Sequence, residues 1–409
     1  LARVGEAELG ASAIGGTFYV LLFIIGLGFS IGTQIIISRR IGENKDEEVG
    51  CIFEISVMFL MIAAVLVFLA TQLFFTPLFS RILSSGEILA KTELYVKWRV
   101  WGVFFTYIGC IFRAFYTGLF KTKFLLANSL VLAVVNVIFA YVLIFGKFGF
   151  PQMGIEGAAI ATVIAEGASV LFFFLVTFKY IDLKKYRLFQ PKKYDLKVIR
   201  TILDVSGFII LQNVLSMASW FSFFLVIEQR GQHQLAITNI VRSIYLFLMI
   251  PGWAFGSATS TMVSNMIGQG NPDNVIPLIN KITRLCFFSI LVLVAPALVL
   301  HHEMLSLFTS NPQLINESLP SYYVVMATLI IFSLTMNYYN GVIGTGSTRV
   351  SLLLEVIGVV FYLVFVYVVV LVLDVSLEFA WFSEAEYFVS MYILSLIYLK
   401  KGSWKRKII

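Results

Sequence analysis

Long blocks of apolar residues separated by short polar joints run the length of this chain. Residues 21–37, 55–80 and 285–300 contain no charged side chain. At 1.5 Å of rise per residue, a helix of about 20 residues crosses the ~30 Å hydrocarbon layer of a bilayer. One buried core helix explains one such block, not a series of them. The pattern predicts membrane spans near 13–38, 50–75, 93–118, 124–146, 154–179, 201–228, 235–264, 275–300, 320–343, 350–373 and 377–399. The expected fold class is an all-α polytopic membrane protein with eleven helices.

Composition sharpens this reading. The 409 residues are 59% hydrophobic and 13% charged, against about 25% charged in soluble domains. A soluble protein is excluded. The net charge of +7 invites a nucleic-acid partner, but the position of the charge argues for topology instead. One alternating set of joints holds Arg39, Arg40 and Lys45; Lys121 and Lys123; the basic run over 179–200; Lys281 and Arg284; Arg349; and the tail from Lys400. The other set holds only Arg3, Arg81, Lys91, Lys147 and Arg230. Basic joints face the cytoplasm, so the tail is expected inside and Leu1 outside. An outside start without a targeting signal implies one more helix before Leu1. The expected organisation is an N-lobe at 1–179 lacking its first helix, a cytoplasmic linker at 180–200, a C-lobe at 201–400 and a basic tail at 401–409.

Cys51, Cys110 and Cys286 lie in or beside apolar blocks without motif spacing, and His301–His302 is a solvated pair. Neither suggests a disulfide framework or a metal site. No nucleophile or phosphate motif points to an enzyme, and no cofactor is expected.

The chain also repeats itself. Gly26, Ser38, Ile41 and Gly42 align with Gly252, Ser264, Ile267 and Gly268 at an offset of 226. Tyr116-Thr117-Gly118 aligns with Tyr339-Asn340-Gly341 at an offset of 223. Each offset encloses six spans, an even number, so both copies cross in the same direction. Two six-helix lobes related by a parallel repeat follow, a plan found in secondary transporters. Small residues such as Gly154, Gly157, Ala158 and Ala161 let helices approach closely in lipid. Pro251 is expected to interrupt the backbone ladder of its span.

Several segments, in order, resemble the multidrug and toxic compound extrusion (MATE) family. They are Ser38-Arg39-Arg40-Ile41-Gly42; Asn136 with Leu143-Ile144-Phe145-Gly146; Gly157-Ala158-Ala159-Ile160-Ala161-Thr162; Leu235-Ala236-Ile237-Thr238-Asn239-Ile240; and Gly341-Val342-Ile343-Gly344-Thr345-Gly346-Ser347-Thr348-Arg349. The last is similar to the family's G-x-x-x-G-x-G-x-T-R with one residue fewer before Thr-Arg. The resemblance implies twelve helices in two lobes, and exchange of inward-moving Na⁺ or H⁺ for outward-moving, often cationic drugs. It also implies a multi-pass protein of the bacterial inner membrane, embedded in lipid, with a small-molecule partner and no nucleic acid, acting as a monomer.

By the same resemblance, the N-lobe cation site includes Asn136, Ala158 and Thr162. The family's helix-five Asp is replaced by Ala140, and its helix-one Asp belongs to the segment expected before Leu1. Asn, Ala and Thr offer only neutral oxygens, whereas a cation in hydrocarbon needs compensating charge. Acids in or beside spans therefore become cation-site candidates: Glu166 midway along its span, Glu228 at a helix end, and Glu355 one turn into its span. Interhelical ion pairing is the competing reading for each. Gln34, Gln212, Asn213 and Asn239 are neutral polar groups suited to a substrate cavity. Trp220, Tyr338 and Tyr339 can stack on a flat cation, although aromatic packing between helices is the commoner use. An alternative function is a lipid-linked oligosaccharide or precursor flippase. It calls for several cationic groups inside the lobes, where only Arg113 and Arg242 qualify.

Overall fold

The computed structural model describes residues 5–83, 85–190 and 196–406. These residues form thirteen α-helices and no strands. The helices are α1 (Glu6–Gly42), α2 (Asp46–Phe79), α3 (Gly86–Arg99), α4 (Gly102–Gly118), α5 (Lys123–Phe145), α6 (Gly154–Tyr180), α7 (Leu196–Glu228), α8 (Gln232–Gly268), α9 (Val275–Val299), α10 (His301–Ser306), α11 (Pro312–Gly344), α12 (Thr348–Val366) and α13 (Leu377–Lys401). A π-helical turn, Tyr367–Val372, closes α12.

Local chemistry sets the helix ends. The Ser85 side chain accepts from the Ile88 amide to open α3, and Asn311 accepts from Gln313 ahead of Pro312 to open α11. Left-handed Gly146 and Gly402 close α5 and α13, the conformation glycine adopts at least cost. Asp46, Glu47 and Glu48 sit in the first turn of α2, and Arg39 and Arg40 in the last turn of α1, each favoured by the helix dipole.

Among the described residues, nine helices are long and apolar enough to cross a membrane, or up to ten if the bent pair α3–α4 counts as one span. The eleven expected spans are therefore not confirmed in two places. The single helix expected over 93–118 is broken, with α3 and α4 meeting at 49°. Gly102 follows the break, and a side chain there would lie 2.2 Å from Arg99 and 2.3 Å from Glu166. The bend makes room for an ion pair that a straight apolar span has no place for. The second place is α13, which carries Glu378, Glu384 and Glu386 among its apolar residues and does not qualify on composition. Conversely, α8 runs unbroken through Pro251, where an interruption is expected from the sequence.

The chain divides into two compact units, one ending at Ile210 and the other beginning at Leu211. In the first, α1 packs on α2, α3 and α4, α5 on α6, and α6 also on α3 and α4. In the second, α11 packs on α8, α9 and α13, and α12 on α13. The repeat is visible inside each unit. A Cβ on Gly26 would lie 2.6 Å from the Tyr107 ring, and one on Gly252 2.2 Å from the Phe332 ring. Likewise Gly118 lies against the carbonyl of Gln34, and Gly344 against that of Ser260. These contacts pair Gly118 with Gly344, one helical turn beyond the Gly341 that motif similarity suggests. The offset is then 226 for this pair as well as for Gly26–Gly252. Small residues are required because the backbones touch.

The faces turned away from each core expose large apolar side chains, among them Leu130, Val134, Val137 and Ile138 of α5. Such a surface suits lipid, not water. The basic segment after α6 is docked rather than freely solvated. The Gly50 amide donates to the Tyr186 carbonyl at 2.9 Å, and the Phe189 amide to Glu54 Oε1 at 2.7 Å. Lys185 and Arg187 pair with Asp46 and Glu47 at the acidic start of α2. The rest of the expected linker, 191–195, including Lys192 and Lys193, lies outside the described residues, as do Leu1 and the last residues of the tail.

Candidate functional site

Burying a carboxylate among apolar helices costs several kcal/mol unless a counter-charge or hydrogen bonds offset it. The two units solve this problem differently. In the N-terminal unit, Glu166 of α6 receives both arms of Arg99 from the end of α3, Nη2 to Oε1 at 2.6 Å and Nη1 to Oε2 at 2.9 Å. The side chains are 9% and 12% exposed, so the pair is largely desolvated. The guanidinium also lies 3.4 Å over the Tyr19 ring, and the Tyr19 hydroxyl shares a hydrogen bond with Thr106 at 2.8 Å. A tethered cation already neutralises Glu166.

Nearby, Asn136 Nδ2 donates to Thr162 Oγ1 at 3.2 Å, and that hydroxyl donates to the Ala158 carbonyl at 2.9 Å. The structure thus brings Asn136, Ala158 and Thr162 together in one chain of two hydrogen bonds. Asn and Thr reach each other across α5 and α6, while the carboxylate of this unit is engaged by Arg99.

The C-terminal unit buries two acids with no basic partner among the described residues. Glu355 of α12 is 1% exposed. Tyr339 of α11 donates to its Oε2 at 2.7 Å, and Tyr387 of α13 to its Oε1 at 2.8 Å. Glu384 of α13 is 5% exposed. It accepts from Tyr362 of α12 at 3.2 Å and from Tyr245 of α8 at 3.4 Å. The rings of Tyr362 and Tyr387 meet edge-on at 6.0 Å and link the two acids through one aromatic layer.

The other candidates fall in different settings. Glu228 is exposed at the end of α7. Gln34 is buried in α1, and Gln212 and Asn213 lie in α7, where Gln212 Oε1 and Asn213 Nδ2 have no partner among the described residues. Trp220 lies under the Arg242 guanidinium, 5.9 Å from its ring centre, so a protein cation stacks there. Asn239 is partly buried in α8. Tyr338 donates to Asn280 and packs edge-on against Tyr392. Tyr339 serves Glu355 instead of presenting a free face for stacking.

A family profile described as MatE matches residues 1–142 and 209–368 of the chain. The chain belongs to the MatE family. It is 24% identical over 415 residues to a probable multidrug resistance protein NorM of Thermotoga maritima, covering 98% of this chain and 86% of that protein. A probable multidrug resistance protein NorM of Agrobacterium fabrum is 26% identical over 283 residues, a match spanning 67% of this chain and 59% of that one. Among solved structures, an outward-facing multidrug resistance MATE family transporter shares the fold, with TM-score 0.89 and 17% identity, covering the whole chain and 90% of that structure. A MOP superfamily transporter from Pyrococcus furiosus matches equally well, with TM-score 0.89. This MatE-family chain is therefore a multi-pass membrane protein.

Two features of the site were not singled out from the sequence. Arg99 is legible only as a charge at a span edge, because its partner is 67 residues away. Glu384 does carry a signal. It occupies the same stripe as buried Leu377, Trp381, Phe388 and Met391, at helical spacing that places it inward.

Proposed function

We propose that this chain is a secondary active multidrug efflux transporter, exchanging inward-moving Na⁺ or H⁺ for outward-moving organic, often cationic, drugs by alternating access. It is a transporter rather than an enzyme and needs no cofactor beyond the coupling ion. It acts as a monomer in the bacterial inner membrane with its C-terminus in the cytoplasm. Its relatives' description as probable multidrug resistance proteins supports the substrate class. The observation that carries ion coupling is the contrast between the units. Glu166 is neutralised internally by Arg99, whereas Glu355 and Glu384 are buried with neutral partners only. A buried carboxylate lacking a counter-charge is a place where an incoming cation gains energy. Gln34, Gln212, Asn213 and Asn239 serve as drug-facing groups, and the unpartnered amide atoms of Gln212 and Asn213 can hydrogen-bond a substrate.

The test is drug efflux from proteoliposomes under an imposed Na⁺ or H⁺ gradient. Gradient-driven efflux that collapses in Glu355→Gln supports the reading. Efflux by the native chain that ignores both gradients refutes it.

A further inference from the structure

We propose that the crevice between α2 and α3 binds one phospholipid with a primary-amine headgroup of the ethanolamine type, its phosphate at Lys97 and its ammonium at Glu93. The site lies within the N-terminal unit and stands independently of the exchange reading above.

The charges of α3 fall into two groups. Glu87, Lys91 and Arg99 are satisfied inside the protein: Lys91 meets Glu87 at 3.0 Å and Glu8 of α1 at 2.8 Å, and Arg99 meets Glu166 at 2.6 Å. Glu93 and Lys97, the remaining charged residues of α3, have no ion pair among the described residues. Their order and four-residue spacing favour a direct pair on a helix surface, yet they make none. Both instead line a cavity of about 430 Å³, a size typical of small-ligand sites.

Helices α2 and α3 each pack on α1, and the cavity lies between them. Phe75 of α2 lines it from the buried side, edge-on to Phe18 of α1 at 5.0 Å. Leu94 and Val100 add apolar wall from the α3 side. Gln72 and Thr76, one turn apart on α2, bring an amide and a hydroxyl whose side chains have no hydrogen bond among the described residues.

The rest of this α2 face is matched to an amphiphile. Steps of three and four residues back from Gln72 reach Leu69, Val65, Ile62 and Met58, all apolar and all exposed. At 1.5 Å per residue that stripe runs about 21 Å, more than the ~15 Å of hydrocarbon in one leaflet. Its polar groups stand at one end only, as they do on a lipid. Trp98 and Trp101, both exposed, follow Lys97 in the chain, and exposed tryptophans collect at headgroup level. On the topology proposed above, this is the outer leaflet.

Headgroup chemistry selects the occupant. A phosphate offers its charge to Lys97 and accepts from the Gln72 amide and the Thr76 hydroxyl. A primary ammonium donates hydrogen bonds to Glu93. Choline carries the same positive charge but no N–H, and a glycerol headgroup leaves Glu93 beside a phosphate with no cation between them. Ethanolamine meets both free charges of α3 with hydrogen bonds.

Native mass spectrometry of the purified full chain, released from detergent with added lipid, counts bound lipids and ranks them by headgroup. The expected result is one tightly held ethanolamine lipid per chain. Its affinity should fall as the amine is methylated stepwise, by about tenfold at the trimethyl stage. Glu93→Gln should erase the preference for ethanolamine over choline, and Lys97→Gln should weaken both lipids by about the same factor. Glu87→Gln, on the same helix but outside the cavity, should alter neither. The methylation series uses the native chain, so it decides the question even where a variant fails to fold. Equal affinity across that series, a preference for glycerol headgroups, or an ethanolamine preference that survives in both Glu93→Gln and Lys97→Gln overturns the proposal. So does equally tight binding of chain-free glycerophosphoethanolamine, since the ligand is then a soluble phosphate and the apolar stripe has no part in holding it.

Discussion

Replacing Arg99 with Met keeps the apolar stem but strands the Glu166 carboxylate among α3, α4 and α6. The native pair is bidentate, at 2.6 and 2.9 Å, with side chains only 9% and 12% exposed. Removing one partner of such a buried pair typically costs about 3–5 kcal/mol, whereas replacing both by apolar groups is often neutral. The cation-π contact with Tyr19 at 3.4 Å adds a further loss of about 0.5–2 kcal/mol in Arg99→Met. A unit of this size loses about 2–4 °C of Tm per kcal/mol, so the ion-pair term alone implies a drop of roughly 6–20 °C. Thermal denaturation in detergent micelles, followed by size-exclusion chromatography, reads this directly. Glu166→Leu should fall similarly, and the double variant Arg99→Met/Glu166→Leu should recover most of the loss. If both single variants melt within about 2 °C of the native chain, under 1 kcal/mol, the pair is not the structural lock described here. If the double variant loses the sum of the singles, the two residues act independently and the ion pair carries no coupling energy.

Gly344→Ala places a methyl 2.5 Å from the Ser260 carbonyl; overpacking of this kind costs about 1–3 kcal/mol and should lower Tm, whereas Gly10→Ala, with nothing within 4 Å, should not. Burial pushes the Glu43 carboxyl up, but hydrogen bonds from Lys45 and Arg40 outweigh it and hold the group below its ordinary value of 4.5. Its stabilising contribution is therefore complete above pH 4.5 and lost as pH falls below, so Glu43→Gln should flatten the acid limb of a stability-versus-pH curve. On a cysteine-free background, an impermeant maleimide added outside cells should label Ser310→Cys and miss Lys184→Cys; the opposite pattern reverses the proposed topology. Asn136→Ala should leave Thr162 bonded to the Ala158 carbonyl and lower stability by less than about 1.5 kcal/mol, read as a small fall in Tm, because only one neutral hydrogen bond is lost.

The membrane-spanning character of the chain and its internal repeat could be read from residue order alone. Uncharged blocks near bilayer length can bury their backbone polar groups only as helices, whatever packs beside them. Gly26 and Gly252 stand at equivalent points because both are needed where backbones touch aromatic rings, and that requirement is written as one residue type. The register of the second motif pair was not legible. Gly341 and Gly344 are both glycines one turn apart, and only the contact with Ser260 selects Gly344. The break between α3 and α4 was equally hidden, since it depends on Arg99 meeting Glu166 from a distant helix. Sequence named Glu355 as an acid in lipid but could not say what surrounds it. A carboxylate facing a guanidinium and one facing two tyrosines look alike along the chain. Packing decides which carboxylate meets a cation and which meets only neutral donors, because the cost of a buried charge is set by the groups within a few ångströms, and those come from other helices.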